Sequence, residues 1–445
     1  MKTIGIIAEF NPFHKGHEYF ISEAKKRSGA DNVVVIMSGD YVQRGEPAIL
    51  NKFTRARFAL FGGANVVFEL PCVYATGSAH DFAFGAVSLL NRLNVIDELW
   101  FGSESADIRV FDLISDVLIN EPIVYSSELK RGLKEGLTFP KARSRALVSF
   151  MTESALSAGR LSKQFSNLFA PLQDDNSPAS DFSERNLEEF LCSSNNILGI
   201  EYCIALKKLG SSMIPKTLKR QGGNYNDTKL HSSFSSAAAI RKALENCALA
   251  DKNTAAFENV GHSFKDILQN LPDFYKYLNI EDLPKNIICA DDFSLILKYR
   301  LLIETPDTLC KYHDISPDLA RRIKQNENVF KSFTQFAMLL KSKNMTYSHI
   351  CRALLRIILS ITLEDFQNAG QSNFIRILGL NKSRGELLNM LKKKSDVLLC
   401  AKPADLKNDQ YNKELFVSNL YESIFADKYG RDFVHEYEQR LPVFK

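Results

Sequence analysis

Four short apolar runs alternate with helix-patterned segments over the first hundred or so residues, and this alternation leaves few folds open. The runs are Thr3–Ala8, Asn32–Met37, Asn65–Leu70 and Glu98–Phe101, and between them Gly16–Arg27, Lys52–Phe61 and Asp81–Leu93 carry helical spacing. The second run holds Val33, Val34, Val35 and Ile36 in unbroken succession. A strand that is apolar on both faces has to be covered on both faces, as in a parallel sheet with helices packed on each side. The pattern therefore predicts a Rossmann-like, doubly wound parallel α/β sheet with right-handed crossovers. Ligands of such sheets bind beyond the carboxyl ends of the strands.

Beyond residue 104 the pattern turns helical. Asp107–Asn120 and Ser127–Gly136 read as helices, the second running on into Lys141–Ser157, and the polar stretch Leu172–Asp181 reads as a loop. Then α/β character returns, with helices over Asn196–Leu209 and Ser236–Glu245 and a strand over Met213–Leu218. This organisation predicts a catalytic domain over residues 1–250 that contains a helical insertion at about 105–190. Residues 251–445 are expected to form an all-helical domain, with helices over Phe293–Ile303, Pro317–Lys324, Val329–Lys341, Tyr347–Leu359 and Arg384–Lys394. A chain of 445 residues is long enough for two or three such domains.

Composition narrows the class of function. A net charge of +4 is only mildly basic, so it permits an RNA partner without requiring one. The eight cysteines form no C-x-x-C pair and join no histidine cluster at zinc spacing, which predicts reduced thiols. His80 and His231 have no neighbours that complete a metal site. The first residues enter a strand directly, without a signal-peptide pattern, and no apolar run is long enough to span a membrane. The expected location is the cytoplasm.

Chemistry concentrates at the end of the first strand, in Ile6-Ile7-Ala8-Glu9-Phe10-Asn11-Pro12-Phe13-His14-Lys15-Gly16-His17. A helix beginning near Gly16 offers unpaired N–H groups and a partial positive charge, both of which suit phosphate. Gly16 lets a phosphate approach the backbone. His14 and His17, three residues apart across the helix start, can both address one phosphate and donate to the charge that develops as pyrophosphate leaves. Two surface histidines would be the plain alternative, but the position after the first strand and before the first helix is where an α/β site belongs.

His14-Lys15-Gly16-His17 in this position resembles the H-x-G-H motif of the nucleotidyltransferase superfamily. The wider stretch from Glu9 to His17, with Ser38-Gly39-Asp40-Tyr41-Val42-Gln43-Arg44-Gly45-Glu46-Pro47-Ala48, resembles the bacterial tRNA(Met) cytidine acetate ligase family. The likeness continues through Phe101-Gly102-Ser103-Glu104, the run from Ser194 to Tyr202, Lys219-Arg220, Gly223-Asn224-Tyr225-Asn226-Asp227, the run from Ser236 to Arg241, and the run from Arg376 to Asn381. It therefore spans nearly the whole chain. Two positions depart from the family's pattern: Lys15 stands where Asn is usual, and Ala238 stands where a Thr is usual. The second removes a hydroxyl whose hydrogen bond to triphosphate would be worth about 0.5–1.5 kcal/mol.

The resemblance implies an enzyme that activates acetate with ATP, accompanied by Mg2+, and passes the acetyl group from acetyl-adenylate to the wobble cytidine of elongator tRNA(Met). It implies His14 and His17 as catalytic residues. It also implies nucleotide contacts from Ile7 to His17, from Phe20, and from Gly102, Asn196, Arg220 and Ser236. Three of the last group also have a plain role: Gly102 as a turn glycine, Asn196 as a helix cap, Arg220 as a solvated charge. Ser38, Asp40 and Arg44 lie at the end of the second strand. Asp40 can accept from a cytosine amine or cap a turn, and Arg44 can face acetate, phosphate or RNA. Arg352 and Arg356 share a helix face that either meets RNA phosphates or is solvated. Two other functions compete: a small-molecule adenylyltransferase, whose members typically lack the long helical tail, and a non-catalytic nucleotide- or RNA-binding protein.

Overall fold

The computed structural model describes residues 1–104, 106–137, 139–158, 184–220, 235–250, 266–277, 280–343, 345–370, 373–406 and 411–444. The sequence patterns for Leu172–Asp181, Gly223–Asp227 and His231 lie outside them. The chain divides into two units: residues 1–97 with 221–445, and residues 98–220.

In the first unit, β1 (Thr3–Ala8), β2 (Asn32–Ser38) and β5 (Val66–Leu70) run parallel side by side. All seven residues of β2 are buried, as its unbroken apolar run demands. The register aligns Ala8 with Met37, and Met37 with Glu69, so the carboxyl ends of the three strands form one edge. The connections between them carry α1 (Lys15–Ser28) and α2 (Lys52–Phe61), and α3 (Cys72–Ala75) and α4 (Ala79–Arg92) follow β5. A short hairpin, β3 (Tyr41–Val42) with β4 (Glu46–Pro47), projects from the end of β2.

The second unit pairs β6 (Glu98–Ser103) in parallel with β7 (Ile214–Lys219). Between them come α5 (Ile108–Asn120), α6 (Ile123–Lys134), α7 (Phe139–Ala158), α8 (Glu184–Cys192) and α9 (Ser194–Lys208). Gly199 allows α9 to lie against Phe101 and Phe111, because a Cβ there would come within 2.6 Å of both rings. The segments expected as one continuous helix after Ser127 are two, α6 and α7, parted near Gly136, whose φ is +82°.

The region after residue 250 corrects the expectation of an all-helical domain. It contains α11 (Ser294–Ile303), α12 (Pro306–Leu309), α13 (Pro317–Asn326), α14 (Phe333–Leu340), α15 (Tyr347–Leu359) and α16 (Leu363–Ala369), after α10 (Ala237–Ala250). It then supplies β8 (Phe374–Asn381), α17 (Gly385–Lys394), β9 (Leu398–Cys400), α18 (Asn412–Tyr429) and β10 (Val443–Phe444). β8 pairs antiparallel with β5, which gives the first unit a sheet of order β10-β8-β5-β2-β1, with β9 also on β8. The expected boundary at residue 250 is thus replaced: the tail and the first strands share one sheet and one unit. The helices from α11 to α16 pack with α18, Tyr41, Cys72 and Val73 around a common apolar core.

Candidate functional site

The loop from Glu9 to Phe13 leaves β1 and is held by backbone contacts from four directions. Asn11 Oδ1 accepts from the Ile49 N–H at 2.8 Å, and the Asn11 carbonyl accepts from Arg241 of α10 at 2.6 Å. The Tyr275 hydroxyl donates to the Phe13 carbonyl at 2.7 Å. Glu9 Oε1 accepts from the Gln43 N–H at 2.7 Å, tying the loop to the hairpin after β2. Phe10 adopts a φ of 48° and the Asn11–Pro12 peptide is cis, and the Phe10 and Phe13 rings pack edge-on at 4.8 Å.

Arg55 is the residue that this arrangement turns on and that the motifs do not mark. Fully buried on α2, it donates from Nε to the Leu50 carbonyl at 2.8 Å and from Nη1 to the carbonyls of Glu9 at 2.6 Å and Ser38 at 3.1 Å. Its Nη2 donates to the Gly39 carbonyl. One guanidinium thus fastens the ends of β1 and β2 together, satisfying carbonyls that have left the sheet ladder. An arginine inside a helix gives no pattern that a sequence reading could separate from a solvated charge.

His14 is the N-cap of α1, in extended backbone at φ −141° and ψ 172°. Its Nδ1 accepts from the Gly16 N–H at 3.0 Å, while the His17 Nδ1 accepts from the His14 N–H at 3.4 Å. This is a capping box built from two imidazoles in place of the usual Ser and Glu. The rings stack at 3.8 Å with 28° between their planes. With each Nδ1 accepting, the neutral rings carry their protons on Nε2. The cap therefore fixes two N–H donors in one tautomer at the positive end of a helix. Ile7, Ala8, Lys15, Gly16, His17 and Phe20 remain partly exposed around them.

Ser236 is buried and caps α10, its Oγ accepting from the Ala239 N–H at 3.0 Å. Arg241, in the first turns of that helix, is the residue that reaches the Asn11 carbonyl. Ser38 is buried at the end of β2, with its carbonyl on Arg55. Asp40 is buried too: its Oδ1 accepts from the Lys52 N–H at 2.8 Å, and burial raises its pKa against the pull of Lys52. Arg44 is half-buried in the β3–β4 turn.

The second unit gathers Gly102, Asn196 and Arg220 at the carboxyl end of its strand pair. Gly102 is the penultimate residue of β6 and faces Leu218 across the pair. The Arg220 N–H donates to the Ser103 carbonyl at 2.9 Å. Asn196 is buried, with Oδ1 accepting from the Glu104 N–H at 3.1 Å and Nδ2 donating to the Phe190 carbonyl at 3.1 Å. Its amide braces the loop after β6, while Asn195 holds the Glu104 carboxylate at 2.8 Å.

Arg352 and Arg356 do not form the surface face expected of them. Arg356 has no exposed surface and its Nη1 donates to Asp314, while Arg352 is half-buried beside it on α15. The interior packing of α15 takes that helix face out of solvent. Among the described residues no cluster of His, Cys, Asp and Glu could hold a metal ion, and no helix is long and apolar enough to cross a membrane.

The model of the HIGH Nucleotidyl Transferase family matches residues 1–435. A curated tRNA(Met) cytidine acetate ligase of Clostridium perfringens is 37% identical over 425 residues, covering 95% of each chain. That of Acetivibrio thermocellus is 32% identical over 455 residues and covers all of both chains. Among solved structures, Thermotoga maritima TmcAL in its apo form superposes with a TM-score of 0.83 at 28% identity, over 100% of each chain. The same protein bound with alpha-thio ATP gives a TM-score of 0.81 at 27% identity.

Proposed function

The chain belongs to the HIGH nucleotidyl transferase family, with tRNA(Met) cytidine acetate ligases as its full-length relatives, and from this we propose that it is itself an ATP-dependent tRNA(Met) cytidine acetate ligase. In the first step an acetate oxygen attacks the α-phosphorus of ATP. The bond from that phosphorus to the bridging oxygen breaks, and pyrophosphate leaves with the electron pair. In the second, the N4 amine of the wobble cytidine attacks the acetyl carbonyl carbon, the bond from that carbon to the anhydride oxygen breaks, AMP leaves with the electron pair, the amine gives up a proton to solvent, and N4-acetylcytidine remains.

The observation that carries this reading is the double-imidazole cap. His14 and His17 bring two Nε2–H donors to a helix N-terminus immediately beyond β1, where nucleotide phosphates sit in sheets of this kind. Donors fixed before the reaction stabilise charge on the departing pyrophosphate without reorganising. Positioning and charge stabilisation suffice for in-line displacement at phosphorus. Gly16 keeps the backbone bare at the same point. Gly102, Asn196, Arg220 and Ser236 complete the nucleotide contacts in this reading. A Mg2+ ion would travel with the ATP phosphates and water rather than in a protein cage. The work is placed in the cytoplasm, where ATP and tRNA meet.

Acetate-dependent exchange of labelled pyrophosphate into ATP tests the first step. The wild type should exchange only with acetate present, and His17→Ala should lose the exchange by roughly 10²–10³-fold. Acetate-independent exchange would point instead to a small-molecule adenylyltransferase. Nucleotide and tRNA binding without any exchange would point to a binding protein.

A further inference from the structure

A cytosine amine that forms a bond to an acetyl carbon must shed a proton, and a positioned side chain can take it. Asp40, one sequence candidate for meeting that amine, is spent on the fold. It is 6% exposed, its Oδ1 holds the Lys52 N–H at 2.8 Å, and its Oδ2 lies 3.8 Å from Lys52 Nζ. Glu18, in the first turn of α1, lies in the field of Asp273 and Lys15. The carboxylate that the motif loop itself offers is that of Glu9.

Glu9 follows β1 directly, at the carboxyl edge of the sheet and five residues before His14. Its backbone is pinned, the carbonyl accepting from Arg55 Nη1 at 2.6 Å. Its side chain is pinned by one oxygen only: Oε1 accepts from the Gln43 N–H at 2.7 Å. Among the described residues Oε2 has no hydrogen-bond or ion-pair partner. Glu9 is half-buried rather than sealed, so this oxygen keeps accessible surface. The next residue, Phe10, turns at a φ of 48° and sets its ring edge-on to that of His17 at 5.0 Å. The carboxylate thus belongs to the residue beside one that touches the double-imidazole cap. Arg241 of α10, Arg44 of the hairpin and Arg55 of α2 favour its ionised form, but burial outweighs them and raises its affinity for a proton. A carboxylate more basic than usual suits proton transfer near neutral pH.

We propose that Glu9 is the catalytic base of acetyl transfer, its Oε2 accepting from the exocyclic amine of the acceptor cytosine and taking the amine proton. The inference rests on the acetate ligase reading above, because it is that reaction which brings an amine to the site. The N4 lone pair forms the bond to the acetyl carbon. The bond from that carbon to the AMP oxygen breaks, with its electron pair on AMP, and the proton passes from N4 to Oε2 and on to solvent. The same contact favours cytosine, since uracil would set a carbonyl oxygen against the carboxylate.

Glu9→Gln keeps the length of the side chain and an oxygen for the Gln43 N–H while removing the base. It should slow single-turnover acetyl transfer to tRNA(Met) by about 10²-fold or more, a loss about tenfold or more beyond any fall in acetate-dependent pyrophosphate exchange. In the wild type, transfer should slow toward acid pH as Glu9 takes up a proton. That acid limb should be missing from Glu9→Gln and present in Glu9→Asp, which should recover part of the rate. Equal losses of transfer and exchange in Glu9→Gln would make Glu9 only a brace between loop and hairpin and overturn the proposal. So would a wild-type transfer rate that stays flat toward acid pH, whether or not the variants fold. A wild type without acetate-dependent exchange would sink the ligase reading itself, a result the variants cannot mimic.

Discussion

The imidazole of His14 has two tasks that a substitution can separate. Its Nδ1 caps α1, and in the proposed reaction its Nε2–H would face the departing pyrophosphate. Asn is among the best N-cap residues, so His14→Asn should keep thermal stability close to wild type while pyrophosphate exchange falls by roughly 10²-fold or more. A matching loss of stability would mean that the cap alone explains the residue. Arg55 predicts the reverse pattern. Arg55→Met strips donors from the carbonyls of Glu9, Ser38, Gly39 and Leu50. At roughly 1–3 kcal/mol for an unsatisfied buried group, partly relieved by water, the loss should be about 3–5 kcal/mol in denaturant titration. Glu422 gives a pH signature. Burial, reinforced by the Asp40 charge, pushes its carboxyl from 4.5 up to about 7. The fold therefore favours the protonated acid, and that contribution is complete below pH 4.5 and fades as the pH rises through 7. Melting curves of Glu422→Gln from pH 4.5 to 8 should be flatter than those of the wild type, with the variant gaining on it at the upper end. Parallel curves would refute the assignment.

Among elements, the hairpin of β3 and β4 shows how local conformation and distant packing meet. Gly45 turns the hairpin at a φ of +80°. A Cβ there would also collide with the backbone of Cys351 and Arg352 on α15. Gly45→Ala thus combines left-handed strain with overpacking against a rigid helix, and should cost about 2–5 kcal/mol by chemical denaturation. Because the Gln43 N–H holds Glu9, some loss of exchange activity should accompany it. The Gly-Glu-Pro run marks a turn in the sequence, but the helix that crowds it lies some three hundred residues further on.

At the scale of the molecule, one buried lysine joins four segments distant in sequence. Lys52 Nζ lies 2.9 Å from Glu69, 3.1 Å from Glu436, 3.8 Å from Asp40 and 2.6 Å from the Ser418 hydroxyl. It links α2 to β5, the end of β2, α18 and the C-terminal segment. The three carboxylates work against desolvation and hold its pKa well above the usual lysine range, Glu436 most strongly. Lys52→Met would leave them without this cation, at a cost of about 3–5 kcal/mol, and mild acid should restore part of the stability by protonating them. A melting temperature unchanged at pH 7 would show that the network contributes little. The same closure explains why the boundary expected at residue 250 fails. A tail that places β8 against β5 and Glu436 against Lys52 is part of the first unit rather than a domain of its own.

Local signals carried what could be read without coordinates. β1 and α2 have the bounds that their apolar spacing predicts, and α1, β2, β5 and β6 agree to within a residue or two at most ends, because each is specified by neighbours along the chain. The histidine site was legible for the same reason: strand, loop, cap and glycine follow within a few residues, and a cap needs only local backbone. Phe374–Asn381 stayed hidden among helical patterns, although its run of Phe, Ile, Ile and Leu fits a strand equally well; pairing with β5, more than three hundred residues earlier, decided the matter. Arg55, Lys52 and Arg356 look in sequence like three solvated charges on helices. Only tertiary packing takes each out of water, and a charge without water must find carbonyls or carboxylates wherever the fold brings them. The sequence by itself determined the first strands and helices and the capped loop after β1, because local sterics and periodicity act over a few residues. The tertiary structure decided the extent of the sheet and the buried ionic network, because desolvation depends on what the rest of the chain lays on top.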